Sequence, residues 1–179
     1  MVKHNIMTRH RSEKTSQAHH RLCGWTGRIL HLDLTRNQVR TIRPEPALYR
    51  ERMGGKGLGG YFLARCADLA WDDPDMVVCL FTGPLTGTLA PTSGRSHLLS
   101  KSPLTGLVGD SSVGGRFGTR LKRAGWDGIV ITGRAAGLTG IEIRNQAVLI
   151  ADASALAGMD TESAHHHLKP GQASLAVVG

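Results

Sequence analysis

The sequence predicts an α+β domain built mainly on antiparallel β-sheet with a few short helices, and three observations carry that reading. Segments that alternate apolar and polar residues come in pairs around Asn-containing turns, continuous apolar runs of strand length lie between them, and the helical segments are short and irregularly placed. Gly27 to Leu34 is the first alternating segment; Thr35-Arg36-Asn37 supplies turn chemistry, and Gln38 to Arg43 returns. Pro44 ends that strand, Pro46 opens a short helix through Met53, Gly54-Gly55 stops it, and a second helix runs from about Leu58 to Leu69. Met76 to Phe81 is continuously apolar, as a strand buried on both faces requires. Pro-Leu-Thr-Gly then occurs twice, at residues 84–87 and 103–106, as tight turns on either side of the strand Ser96 to Lys101. Arg116 to Ala124 reads as a basic helix ended by Gly125, and Ile129 to Thr132 as a second buried strand. Ile141 to Arg144 and Ala147 to Ile150 form a hairpin about Asn145-Gln146, a helix passes through His165 to Leu168, and Ser174 to Gly179 reads as a last strand.

Composition sets limits on function. A chain of 179 residues with 40% hydrophobic and 20% charged residues is long enough for one domain with a real core. Its 22 Lys and Arg against 14 Asp and Glu give a formal charge of +8, which favours an anionic partner: nucleic acid, a membrane surface or a phosphate-bearing cofactor. Aromatics make up only 4% and are not interleaved with the basic residues, so the stacking platforms of single-stranded nucleic-acid binders are missing. A non-enzymatic basic module binding anions or nucleic acid is the alternative function. Residues 1–23 read as a disordered basic leader, where Lys3, Arg9, Arg11, Lys14 and Arg21 face only Glu13. The leader has no apolar segment of a secretory signal, and no run of ~18 apolar residues suits a membrane span, so a cytoplasmic location is expected.

Cys23, Cys66 and Cys79 are too widely spaced to build a local zinc or iron–sulfur framework, and Cys79 belongs to an apolar run, as a core residue does. Neighbouring histidines on a helix do not share a face, so His165, His166 and His167 read as surface residues. No nucleophile–base arrangement or carboxylate pair stands out. Glycine does: 23 residues, gathered at 54–60, 83–94 and 106–118. Backbone N–H groups in such turns form anion-binding concavities, and glycine lets a phosphate or flat ring approach without meeting a Cβ. Gly55-Lys56-Gly57-Leu58-Gly59-Gly60 satisfies the dinucleotide pattern G-x-G-x-x-G, but that fingerprint needs a strand before it, whereas residues 45–53 read as helix. On the basic helix Arg120, Lys122 and Arg123 are expected to face solvent. Arg95 stands at a loop-to-strand junction after Thr92-Ser93-Gly94, where a guanidinium enters a site as a permanently charged donor.

Several segments resemble one family in the same order: Gly24-Trp25-Thr26-Gly27-Arg28, Gly54-Gly55-Lys56-Gly57-Leu58-Gly59, the run GPLTGTLAPTSGR at 83–95 and KSPLTG at 101–106. Gly114-Gly115, Phe117-Gly118 and Leu121 through Val130 continue the match, so that residues 24–179 resemble the amino-terminal domain of the tungsten-dependent aldehyde ferredoxin oxidoreductases. The resemblance implies a two-sheet saddle under two pyranopterins that hold tungsten, or molybdenum, through dithiolene sulfurs. It matches Thr92, Ser93, Gly94 and Arg95 to a cofactor-binding segment, with Arg95 between a pterin and a 4Fe-4S cluster. Ser112, Val113, Gly114, Gly115, Phe117 and Gly118 match a pterin-phosphate loop, with the backbone oxygen of Ser112 beside a bridging magnesium ion. The family commonly has Asn where this chain has Ser112. The reaction implied is oxidation of an aldehyde to a carboxylate, with ferredoxin as electron acceptor. The cluster cysteines, the acid–base residues and the substrate cavity are expected from carboxyl-terminal domains or a separate catalytic polypeptide, the domain here is expected to lack its own carboxyl-terminal end, and homo-oligomerisation is left open. Sheets made to meet absent domains should leave apolar surface uncovered.

Overall fold

The computed structural model describes residues 23–177; of the expected leader only Cys23 falls among them, and it is exposed. Strands β1 (Ile29–Asp33), β2 (Gln38–Ile42), β3 (Val78–Thr82), β4 (Ser96–Lys101), β5 (Val108–Val113) and β6 (Gly128–Thr132) form one sheet in the order β2-β1-β6-β3-β4-β5. All its neighbours are antiparallel except β1 and β6. A parallel pair needs a long crossover, and here the chain from β2 to β5 supplies it. β7 (Thr139–Arg144) and β8 (Ala147–Asp152) form a separate antiparallel hairpin. Helices α1 (Pro46–Arg52) and α2 (Gly55–Ala64) precede β3, α3 (Phe117–Arg123) lies between β5 and β6, and α4 (Thr161–Leu168) follows the hairpin. The expected α+β architecture with two mainly antiparallel sheets is thus the observed one.

β1, β3 and β6 are buried on both faces; β3 and β6 accordingly read as continuous apolar runs, whereas His31 interrupts β1. Alternate residues split between two cores. Ile29, Cys79, Phe81, Leu99 and Val130 face α1 and α2, joined by Tyr49, Leu58 and Leu63. Leu30, Leu32 and Ile129 face the other way, against Leu121, Trp126 and the hairpin residues Ile143, Val148 and Ile150. Burial pushes the Cys79 thiol up to about 12, so it behaves as a small core residue. α2 lies close on the sheet because its inward positions are glycine: a Cβ at Gly59 would come 2.6 Å from Leu99, and one at Gly54 2.5 Å from the Thr82 carbonyl oxygen.

A buried ion pair ties the layers together. Lys122 Nζ lies 2.7 Å from Asp127 Oδ1, the aspartate fully buried and the lysine side chain 10% exposed. The carboxylate also accepts from the N–H groups of Thr26 and Gly27 at 2.8–3.0 Å, while the Asp127 backbone pairs with Arg28 and Thr82. Lys122 therefore points inward, contrary to the expectation that it faces solvent: Gly118, Leu121 and Lys122 share the inner side of a short helix, and only Asp127 makes that burial tolerable.

Three further differences have local causes. The second helix starts at Gly55 and ends at Ala64, because a turn at residues 65–68 with 3-10-type bonds follows it. β5 was not expected, since Gly109, Asp110 and two serines carry little strand propensity; pairing with β4 overrides it. Ser174 to Val177 form no strand, having no partner among the described residues, and Val178 and Gly179 lie outside them. As expected, apolar side chains are left uncovered, with Leu85, Leu104, Leu107 and Val108 all more than half exposed.

Three mutational outcomes follow from this packing. Asp127→Ala strands the Lys122 ammonium and two N–H groups, and should cost about 3–5 kcal/mol in a urea titration. Gly60→Ala, whose new methyl meets nothing within 4 Å, should stabilise α2 by up to ~1 kcal/mol. Gly128→Ala, whose methyl would overlap the Phe81 ring and come 2.7 Å from the Leu80 carbonyl oxygen, should instead destabilise by about 1–3 kcal/mol; equal effects would contradict the packing described.

Candidate functional site

The register of β4 against β5 decides what the glycine-rich segments can do. His97 stands opposite Ser112 and Ser96 opposite Val113, so the start of one strand meets the end of the other. Arg95 Nη1 donates to Ser112 Oγ at 3.1 Å. A Cβ on Gly94 would lie 3.2 Å from the Gly115 carbonyl oxygen, and one on Gly118 3.2 Å from that of Gly94. All ten residues singled out in the sequence, Thr92 to Arg95, Ser112 to Gly115, Phe117 and Gly118, consequently cluster at one corner of the sheet. Ser112 and Val113 belong to β5 itself rather than to a loop, and the loop proper is Gly114 to Arg116.

The glycines divide into two kinds. Gly94 and Gly118 are packing glycines, through which the first loop and α3 touch backbone to backbone. Gly114 and Gly115 have no atom within 4 Å of where a Cβ would stand, and Gly115 has φ +74°. They present bare backbone to the outside, a surface that a flat or phosphorylated ligand can approach. Thr92 has φ +58°, a left-handed conformation that a β-branched residue adopts only when its surroundings impose it. Ser96 Oγ is fully buried beside Gly118 and makes no hydrogen bond among the described residues.

Two supporting networks went unseen in the sequence. Asp110 joins Lys56 Nζ at 2.5 Å and His97 Nδ1 at 3.4 Å, which fastens β4 and β5 to the start of α2. The Lys56 ammonium, and after it His97, hold the Asp110 carboxyl below its usual value. On the other side, Lys122 donates to the Gly83 carbonyl at 3.2 Å, Gly83 N–H donates to Thr86 Oγ1 at 3.0 Å, and Thr86 Oγ1 donates to the Arg95 carbonyl at 3.2 Å. The first Pro-Leu-Thr-Gly turn is thus wired from the buried ion pair to Arg95. Cross-strand parity relates His97 to Asp110, but no motif marks either residue. The G-x-G-x-x-G segment follows α1 rather than a strand and lies within α2, with Gly57, Gly60 and Lys56 beside an open groove of about 470 Å³ on its outer face. The described residues hold no cluster of three or more His, Cys, Asp or Glu placed for a metal ion, and no helix long and apolar enough to cross a membrane.

Residues 29–179 match the family described as aldehyde ferredoxin oxidoreductase, N-terminal domain. The chain belongs to that family. It is 39% identical over 137 residues to the tungsten-containing aldehyde ferredoxin oxidoreductase of Pyrococcus abyssi, covering 75% of this chain and 23% of that protein. The aliphatic sulfonate oxidoreductase, WOR-like subunit, of Pyrococcus furiosus is 34% identical over 140 residues, covering 75% and 22%. Among solved structures, the active site complex BamBC of benzoyl coenzyme A reductase with 1,5-dienoyl-CoA superposes with a TM-score of 0.77 at 28% identity, covering 83% of this chain and 24% of that one. As an aldehyde ferredoxin oxidoreductase N-terminal domain, the chain spans about a quarter of the length of these curated relatives.

The Asp110 link yields a pH signature. Because folding lowers its carboxyl pKa, its contribution is fully present above about pH 4 and is lost as pH falls through the lowered folded value. Asp110→Asn should therefore reduce the urea midpoint near about pH 6 and make little difference near about pH 2. An equal deficit at both pH values would mean that the carboxylate charge is not what holds β5 to α2.

Proposed function

We propose that this domain is the pterin cradle of a tungsten (or molybdenum) oxidoreductase that converts aldehydes to carboxylates, incomplete as a catalyst by itself. The observation that carries the reading is the bare backbone of Gly114 and Gly115 beside the exposed Arg95 guanidinium. That donor set suits the group: amide N–H groups and a fixed cation recognise phosphate and pterin acceptor atoms, and the absence of side chains admits a flat ring. Thr92, Ser93, Gly94 and Arg95 would line one side of the cofactor, and Ser112, Val113, Gly114, Gly115, Phe117 and Gly118 the other. The Ser112 carbonyl, on an edge strand, would serve a bridging magnesium ion. When bound, the tungsten–pterin group supplies the two-electron oxidation.

The residues of this chain orient that group and set its electrostatics. Arg95 is held from its backbone by Thr86 and from its guanidinium by Ser112, so its charge is fixed before a ligand arrives. Substrate choice is assigned elsewhere, because relatives named for aldehydes, aliphatic sulfonate and benzoyl coenzyme A share this one domain. Carboxyl-terminal segments would then bring the 4Fe-4S cluster, the acid–base residues and the contact with ferredoxin.

The test is assembly. The chain is co-produced with the carboxyl-terminal portion of the enzyme, and tungsten, molybdenum and extractable pterin are measured per protein. Near-stoichiometric metal with aldehyde-dependent dye reduction is expected, and Arg95→Ala should weaken pterin retention about tenfold or more while leaving the fold intact. A complex free of metal and pterin, with no dye reduction, would overturn the proposal.

A further inference from the structure

We infer that the outward face of α3 is a docking surface for an acidic polypeptide. Gly118, Leu121 and Lys122 turn toward the sheet, and at about 100° per residue this leaves Arg116, Arg120 and Arg123 together on the opposite side. These three guanidiniums form a row one helical turn apart. Among the described residues none makes an ion pair or a side-chain hydrogen bond, and α3 contains no acid. Beyond the helix end Arg28 donates its Nε to the Gly125 carbonyl at 3.1 Å, with its guanidinium over Trp126 at 5.0 Å, and has no carboxylate partner among the described residues.

Like charges at this spacing repel. Some cations of the chain are neutralised internally, as Lys122 by Asp127, Lys56 by Asp110 and Arg52 by Glu51. Arg43 and Arg50 are also unpaired among the described residues, but they stand apart, one after β2 and the other in α1, rather than in a row. The α3 row is left for something external. Its chemistry selects the occupant. Arginine forks pair bidentately with carboxylates, and a row about 10 Å long accommodates carboxylates presented on successive turns of a partner helix or loop. Nucleic acid fits less well, since so few cations give weak phosphate binding. Because α3 packs through Thr119 and Lys122 against Gly87 of the first turn, a partner docked there would lie close to the Arg95 corner, whatever that corner binds.

The test uses the full chain and a short poly-L-glutamate peptide as probe, with a DNA duplex of similar charge beside it. Arg120→Glu with Arg123→Glu should weaken peptide binding about tenfold or more and flatten its salt dependence. Arg43→Glu with Arg50→Glu, an equal change of charge on another surface, should leave it within about twofold. If the reversed protein fails to fold, Arg120→Gln with Arg123→Gln is read by the same criterion. Equal losses in the two double variants, or DNA bound more tightly than the peptide through the same arginines, would overturn the inference.

Discussion

The ion pair between Lys122 and Asp127 is the constraint on which the rest of the structure depends. A carboxylate with no solvent exposure is tolerable only when its lone pairs are filled, and here an ammonium and two backbone N–H groups fill them. Those partners come from two places, α3 and the entry to β1, and the second lies 100 residues from Asp127 in sequence. Satisfying one aspartate therefore closes the parallel β1–β6 pair, for which local turn chemistry offers nothing. The same lysine reaches the Gly83 carbonyl, so the charge that locks the core also fixes the first Pro-Leu-Thr-Gly turn and, through Thr86, the backbone of Arg95. Stability and the candidate site share one network.

Glycine gives the domain two distinct properties that a sequence pattern alone does not separate. At Gly54, Gly59 and Gly128 it lets helix and strand come closer than any Cβ allows, and these positions are about the core. At Gly114 and Gly115 it exposes backbone to open space, and these are about a ligand. Gly94 and Gly118 serve as the hinge between the two uses, since their contact brings the two loops to one corner. The dense 54–60 cluster, which looks most like a nucleotide motif, belongs to the first kind at Gly54, Gly57 and Gly59, while Gly60 meets open space on the helix surface.

Much of the domain was legible in the sequence because its inner strands meet a core on each face, which writes apolar residues directly into Ile29–Asp33, Met76–Phe81 and Ile129–Ile131. β5 was not legible: Val108-Gly109-Asp110-Ser111-Ser112-Val113 becomes a strand only through β4, and register is a property of the pair. The ten expected site residues do share one corner, a fact that loop composition suggested but only the Ser96↔Val113 register produces. Lys56, His97 and Asp110 escaped notice because ordinary residue types on three separate elements acquire meaning only in contact. Lys122 was misread for a related reason. Three cations on a seven-residue helix look alike in sequence, and the buried acid that distinguishes one of them lies beyond the helix end.

That distinction makes α3 the most informative element of the fold. Its inner side carries a lysine whose charge is cancelled inside the protein, and its outer side carries arginines whose charge is not. The two sides follow from different costs. An unpaired cation in the interior forfeits its hydration, so burial of Lys122 requires Asp127; an unpaired cation in water loses little, so the outer row can persist until a partner removes the solvent from it. The helix is too short to be stable by propensity, and it is the inward lysine, anchored to Asp127, that holds the arginine row in a fixed geometry. The electrostatic lock of the core and the electrostatic surface beside the candidate site are therefore one device, set apart only by angular position around a helix of two turns.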